Sequence, residues 1–190
     1  MPTSAQLWIV RHGETAWSRS RQLTSVTDLP LTEEGERAAR AVGERLASTS
    51  FDLVLASPLR RALDTARLAG FGDRVRIEPD AHEWRYGAYE GRTTAEIRRE
   101  IAGWSVWTHP VPGGETIADV AQRADRLIER IRRDVRERAL LFAHGHFLRV
   151  LAARWVGLPP EVGAHLVLDV ATVSVLGWER EAPAVVRWNT

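Results

Sequence analysis

Two histidines in this chain each follow a short apolar run and precede a glycine. Leu7 to Val10 leads into Arg11-His12-Gly13, and Ala139 to Ala143 leads into His144-Gly145-His146. A neutral imidazole is a nucleophile near neutral pH, and a permanent guanidinium beside it suits attack on an anionic centre such as a phosphoryl group. Glycine at the next position lets the backbone turn sharply and approach a ligand closely. A third group, Ser57-Pro58-Leu59-Arg60-Arg61, puts two arginines at the start of a helix, where they oppose its dipole unless an anion lies nearby. His144 and His146, two apart, share one face as metal ligands do. No carboxylate or cysteine at ligand spacing joins them and no His-Glu-x-x-His occurs, so no metal or other cofactor is expected.

The elements that must position these residues alternate between strands and helices, which predicts an α/β sandwich with a mostly parallel sheet. Leu7 to Val10, Phe51 to Ala56, Val75 to Glu78 and Ala139 to Ala143 have the length and content of buried strands. Ligands bind at the carboxyl edge of such sheets, where both histidines fall. Thr32 is the expected N-cap of a helix with the apolar stripe Ala38, Ala41, Val42 and Leu46. Ser57 is the expected N-cap of the next, with Pro58 in its first position. Thr116 with Asp119 forms a capping box for a long amphipathic helix through Val135, and another helix runs from Phe147 to Trp155. Between residues 80 and 114 lies an irregular, aromatic-rich stretch, read as a lid with a short helix at about 94–101. Thr172 to Trp178 and Val185 to Trp188 read as a closing antiparallel hairpin.

Composition narrows the chemistry. At 190 residues one domain spanning 1–190 is expected. All 26 basic residues are arginine, so neither a Schiff-base lysine nor a P-loop lysine is available. The absence of cysteine excludes disulfides, thiolate metal sites and cysteine nucleophiles. A formal net charge of +1 argues against a nucleic-acid partner. Met1 to Gln6 has no basic leader region, and no stretch approaches the roughly 18 apolar residues that span a bilayer, so no membrane partner and a cytoplasmic location are expected.

Taken together, Arg11-His12-Gly13-Glu14-Thr15, Ser57-Pro58-Leu59-Arg60-Arg61-Ala62, Glu83 ahead of Gly87 and Glu90-Gly91, and His144-Gly145 resemble the histidine phosphatase superfamily, the phosphoglycerate mutase-like fold. The resemblance covers essentially the whole chain and implies a three-layer α/β/α sandwich. It makes His12 the nucleophile that takes the phosphoryl group, Arg11, Arg61 and His144 the groups that bind its oxygens, and Glu83 the proton donor. Charge in a transferring phosphoryl group spreads over its equatorial oxygens, which two planar guanidiniums match. The same cations disfavour protonation of a neighbouring imidazole. Glu83 must give a proton and then take one back, for which an acid-shifted pH optimum is expected.

The central motifs are similar to actinobacterial acid phosphatases and to the sedoheptulose 1,7-bisphosphatase subgroup. That implies a metal-independent phosphomonoesterase acting on a small phosphorylated metabolite, with a sugar bisphosphatase as one alternative. Ser18, the Asn position of mutases, and the lack of a lysine after Gly91 set the chain apart from cofactor-dependent phosphoglycerate mutase, a second alternative. A phosphohistidine-protein phosphatase and a non-enzymatic phosphate-binding module complete the set. Trp84, Tyr86, Trp104 and Trp107 are expected as an apolar wall over the leaving group. Ser18, Gln22, Thr24, Gly145 and His146 are expected to contact substrate. Ser25 stands where a glycine is common, which puts the contacts of its loop in question. His82 and His109 read as lid or surface residues, and Trp178 and Trp188 as core-finishing residues or a homodimer interface.

Overall fold

The apolar runs become strands because the sheet buries them on both faces. In a computed structural model, which describes residues 5–190, β1 (Gln6–Arg11), β2 (Leu53–Ala56), β3 (Val75–Ile77) and β4 (Arg138–Ala143) lie parallel in the order β3-β2-β4-β1. β5 (Val173–Glu179) and β6 (Ala182–Arg187) extend the sheet antiparallel beyond β1. Met1 to Ser4, within the stretch read above as lacking a leader, lie outside the described residues. No helix among the described residues is long and apolar enough to cross a membrane.

Helices cover both faces. On one side α2 (Glu33–Leu46) and α3 (Arg60–Ala66) enclose a core of Val10, Val42, Leu46, Val54, Phe71 and Phe142. On the other, α5 (Ile117–Asp134) and α6 (Gly145–Trp155) pack Leu127, Ile131, Leu148 and Trp155 against Leu7, Ile9 and Leu141. The capping box of Thr116 and Asp119 starts α5 as expected. Thr32 caps α2, but its buried face is Gly35, Ala39, Val42 and Leu46, so Ala41 is exposed where the stripe had placed it in the core.

α3 departs from its expected start. It begins at Arg60 behind Leu59, with no side-chain cap of its own, and Asp28 Oδ1 accepts the Arg60 N–H at 2.8 Å instead. Ser57 lies two residues before that N-cap: its hydroxyl accepts the Leu59 N–H at 3.3 Å, ahead of the helix, as well as the proton of His144 Nε2. Asp28 is thus one anion that offsets the arginines there. The Arg60 guanidinium turns outward to Asp64, while Arg61 is wholly buried.

Residues 80–114 hold the short helix α4 (Thr94–Glu100), preceded by α1 (Ala16–Ser20) in the first loop. Their backbone is irregular, yet Trp84, Tyr89, Trp104, Val106, Trp107 and Val111 are buried in the same core as α5 and α6. Register then fixes the site. Arg11 pairs with Ala143 and Ala56 with Phe142, so the chain leaves β1, β4 and β2 side by side at residues 12, 144 and 57.

Candidate active site

His12 follows the last residue of β1 and is almost fully buried, at 5% exposure. Its Nδ1 lies 2.8 Å from the Gly13 carbonyl oxygen. A carbonyl only accepts, so Nδ1 carries the proton and Nε2 keeps the lone pair. Burial, then the charges of Arg61 and Arg11, push the His12 imidazole well below its ordinary range. The ring is therefore neutral, with a defined tautomer. Gly13 is required by crowding: a Cβ there would stand 2.5 Å from the Gly35 oxygen at the start of α2. Its N–H donates to Thr65 Oγ1 at 2.9 Å, and that hydroxyl donates in turn to the Arg61 carbonyl.

Arg61 and His144 form a layer behind His12, both with no exposed surface. The His12 and His144 ring centroids are 5.2 Å apart. Arg61 Nε donates to His144 Nδ1 at 3.2 Å, which leaves the proton on Nε2, where it is donated to Ser57 Oγ at 2.7 Å. Burial and then Arg61 hold His144 neutral as well. Arg11 donates from Nη1 to the Leu168 carbonyl at 2.6 Å, while its buried Nε has no partner among the described residues. Gly145 leaves room for that guanidinium, since a Cβ on it would lie 3.2 Å from Arg11 Nε.

Glu83 arrives from the opposite side. Its Oε1 accepts the N–H groups of Trp84 and Phe147, both at 2.9 Å, and its Oε2 accepts that of His146 at 3.1 Å. Two of these donors belong to the first turn of α6, an end of a helix suited to a carboxylate. Next to it the Tyr86 hydroxyl lies 2.6 Å from His146 Nδ1. Burial first, then Glu83, holds the Tyr86 phenol well above its ordinary range, and burial pushes His146 down to about 4.

These groups meet at a cavity of about 400 Å³ whose lining includes Arg11, His12, Glu83, Tyr86, Gly145 and His146. Ser18, Gln22 and Thr24 also line it, as expected from sequence. Trp84, Trp104 and Trp107 do not. They are core residues, at 1%, 1% and 9% exposure, and the Trp84 indole donates to the Glu115 carbonyl. The expected apolar wall thus reduces to Tyr86, because indoles of that size bury more apolar surface by packing under the lid than by facing an ionic cavity. His82 and His109 stay off the cavity lining. Trp178 and Trp188 donate to the Ala5 and Val167 carbonyls of their own chain.

Several lining residues escaped the sequence reading: Arg21, Thr94, Arg149, Leu168 and Asp169. Arg149 stands one helical turn after His146 on α6, a spacing that was open to inspection. Leu168 and Asp169 come from a loop without regular pattern and carried no signal. Thr65, four residues after Arg61, was visible as a polar residue on the buried face of α3.

The sequence profile of the Histidine phosphatase superfamily (branch 1) matches residues 7–190. The chain belongs to that superfamily. This histidine phosphatase is 40% identical over 177 residues to an acid phosphatase of Mycobacterium tuberculosis, covering 92% of this chain and 87% of the relative. It is 35% identical to the sedoheptulose 1,7-bisphosphatase of Saccharomyces cerevisiae, over 87% of this chain and 72% of that one. A solved structure of an open reading frame product from Mycobacterium tuberculosis superposes with a TM-score of 0.93 at 37% identity, covering 97% of each chain. The histidine phosphatase assignment carries with it a phosphate-ester hydrolase activity.

Proposed function

We propose that this phosphatase is a metal-independent phosphomonoesterase of the acid phosphatase type, acting on small phosphorylated metabolites through a phosphohistidine. The observation that carries this reading is the His12 tautomer: Gly13 holds the proton on Nδ1, and the Nε2 lone pair belongs to a residue lining the same cavity as Arg11 and Glu83. His12 Nε2 attacks phosphorus and the ester P–O bond breaks. The leaving oxygen takes the proton from Glu83, and Arg11, Arg61 and His144 stabilise the charge on the phosphoryl oxygens, His144 by passing its Nε2–H from Ser57 Oγ to one of them. Glu83, now ionised, takes a proton from water as the water oxygen attacks phosphorus. The N–P bond then breaks, releasing inorganic phosphate and restoring His12.

A sugar bisphosphatase is the second reading. It is favoured by Arg21 and Arg149, two cations that line the cavity in addition to Arg11. The test is phosphate release in EDTA at about pH 5.5 and 7.5. The panel is p-nitrophenyl phosphate, 3-phosphoglycerate, fructose 1,6-bisphosphate and sedoheptulose 1,7-bisphosphate, with His12→Ala as control. Release that His12→Ala abolishes is expected. A strong preference for the bisphosphates selects the second reading, and conversion of 3- to 2-phosphoglycerate without release overturns both.

A further inference from the structure

Arg61 has no carboxylate of its own. Besides His144, its donors go to main-chain carbonyls of one loop: Nη1 to Thr27 O at 3.1 Å, and Nη2 to Thr24 O at 3.2 Å and Ser25 O at 3.1 Å. The aim of a wholly buried guanidinium thus depends on where the 24–27 backbone lies. That loop has little regular structure to hold it.

The other face of the same loop is held by a single side chain from the lid. Glu90 Oε1 accepts the N–H groups of both Ser25, at 2.8 Å, and Thr27, at 3.1 Å, across more than sixty residues of sequence. Its second oxygen is buried and has no partner among the described residues. A buried carboxylate oxygen left unpaired costs free energy, so this carboxylate is held there by what its other oxygen does. Main-chain bonds continue the seam: Gly91 N donates to Leu23 O at 2.8 Å, and Leu23 N to Arg92 O at 2.9 Å. Ser25 itself is buried, so its side chain is accommodated where a glycine is common, and the loop's main-chain contacts are intact.

We propose that Glu90 is a positioning residue for Arg61: by holding the N–H groups of Ser25 and Thr27 it sets the carbonyls of Thr24, Ser25 and Thr27 that aim the guanidinium. Its charge acts in the same direction. Burial lowers the Arg61 guanidinium, and the carboxylates of Glu83, Asp28 and Glu90 oppose that loss. Glu90 touches no reacting atom. It adds a second lid carboxylate, behind the cavity and not lining it, to the construction of the site. The proposal rests on the reading of Arg61 as a ligand of the phosphoryl oxygens.

A double-mutant cycle of Glu90→Ala and Arg61→Ala tests it, read by calorimetric binding of inorganic phosphate and by kcat/KM on p-nitrophenyl phosphate. If Glu90 acts through Arg61, Glu90→Ala weakens phosphate binding about tenfold in the otherwise native protein and less than about twofold when Arg61 is already alanine. Equal losses in both backgrounds overturn the proposal, because a purely structural role is independent of Arg61. Glu90→Gln keeps one acceptor oxygen for the two N–H groups and is expected to stay within about threefold of the native protein. A loss as large as that of Glu90→Ala contradicts positioning. If Glu90→Ala does not fold, Glu90→Asp, which withdraws the oxygens by one methylene, takes its place with the same expected coupling. Phosphate binding needs no turnover, so coupling without hydrolysis refutes the functional reading alone, and hydrolysis without coupling refutes this inference alone.

Discussion

A histidine that is to attack phosphorus in acid must resist taking up a proton there. His12 meets that requirement through burial, Arg61 and Arg11, in that order, so it stays neutral as the pH falls through the ordinary imidazole value of 6.5. The acid limb of kcat/KM should therefore show no inflection near pH 6.5, and activity at pH 5 should stay within about twofold of its maximum. A sharp loss between pH 7 and 6 would show that the reactive imidazole is not this one. Gly145 gives a second test at the same scale. A methyl group there presses on Arg11 Nε and Cζ, while the helical position itself prefers alanine. Gly145→Ala should lower kcat/KM about tenfold and leave the melting temperature unchanged or raised. A fall in both would mean that the glycine serves the fold and not the guanidinium.

At the scale of elements, what could be read from the sequence was what local chemistry decides. β1 and β4 were visible because both are apolar on both faces, and their shared strand-His-Gly pattern is real: they are neighbours, and His12 N donates to the Ala143 carbonyl at 3.0 Å. The capping box of α5 was visible because it is completed within four residues. The start of α3 was not, because the helix begins at Arg60, whose N–H is met by Asp28 from another loop. The lid indoles were assigned to the cavity because aromatic residues in an irregular stretch look the same whether they face a ligand or a core. Their burial now changes the expectation for Trp104. Trp104→Ala should destabilise the protein by about 3–5 kcal/mol and reduce activity alike on every substrate. A selective loss on one substrate class, with stability retained, would put the indole back at the cavity.

Over the whole molecule, three histidines gathered at one sheet edge and neutral in the fold, two of them buried and His146 half-buried, make stability depend on pH. His12, His144 and His146 all have folded-state values below that of a free histidine, His146 at about 4. Below about pH 6.5 the unfolded chain takes up protons that the folded chain refuses. The unfolded state gains from acid, so stability should be highest above that pH and fall as it drops towards 4. The melting temperature is expected to decrease steadily from pH 7 to 4.5, and His146→Phe should flatten part of that slope. A melting temperature constant over the range would mean that these imidazoles are protonated in the fold. The proposed nucleophile and the fold thus share one cause: the burial that keeps His12 neutral in acid also limits how far into acid the protein remains folded.

Trapping the intermediate shows whether phosphoryl transfer runs through His12 Nε2. The enzyme is quenched in alkali during turnover of p-nitrophenyl phosphate at about pH 5.5, and phosphate on the protein is located by mass spectrometry and phosphorus NMR. A single alkali-stable, acid-labile phosphoryl group is expected on His12, attached at Nε2 and absent from His12→Ala. Turnover that persists in His12→Ala, or a phosphoryl group found on another side chain, would contradict transfer through His12.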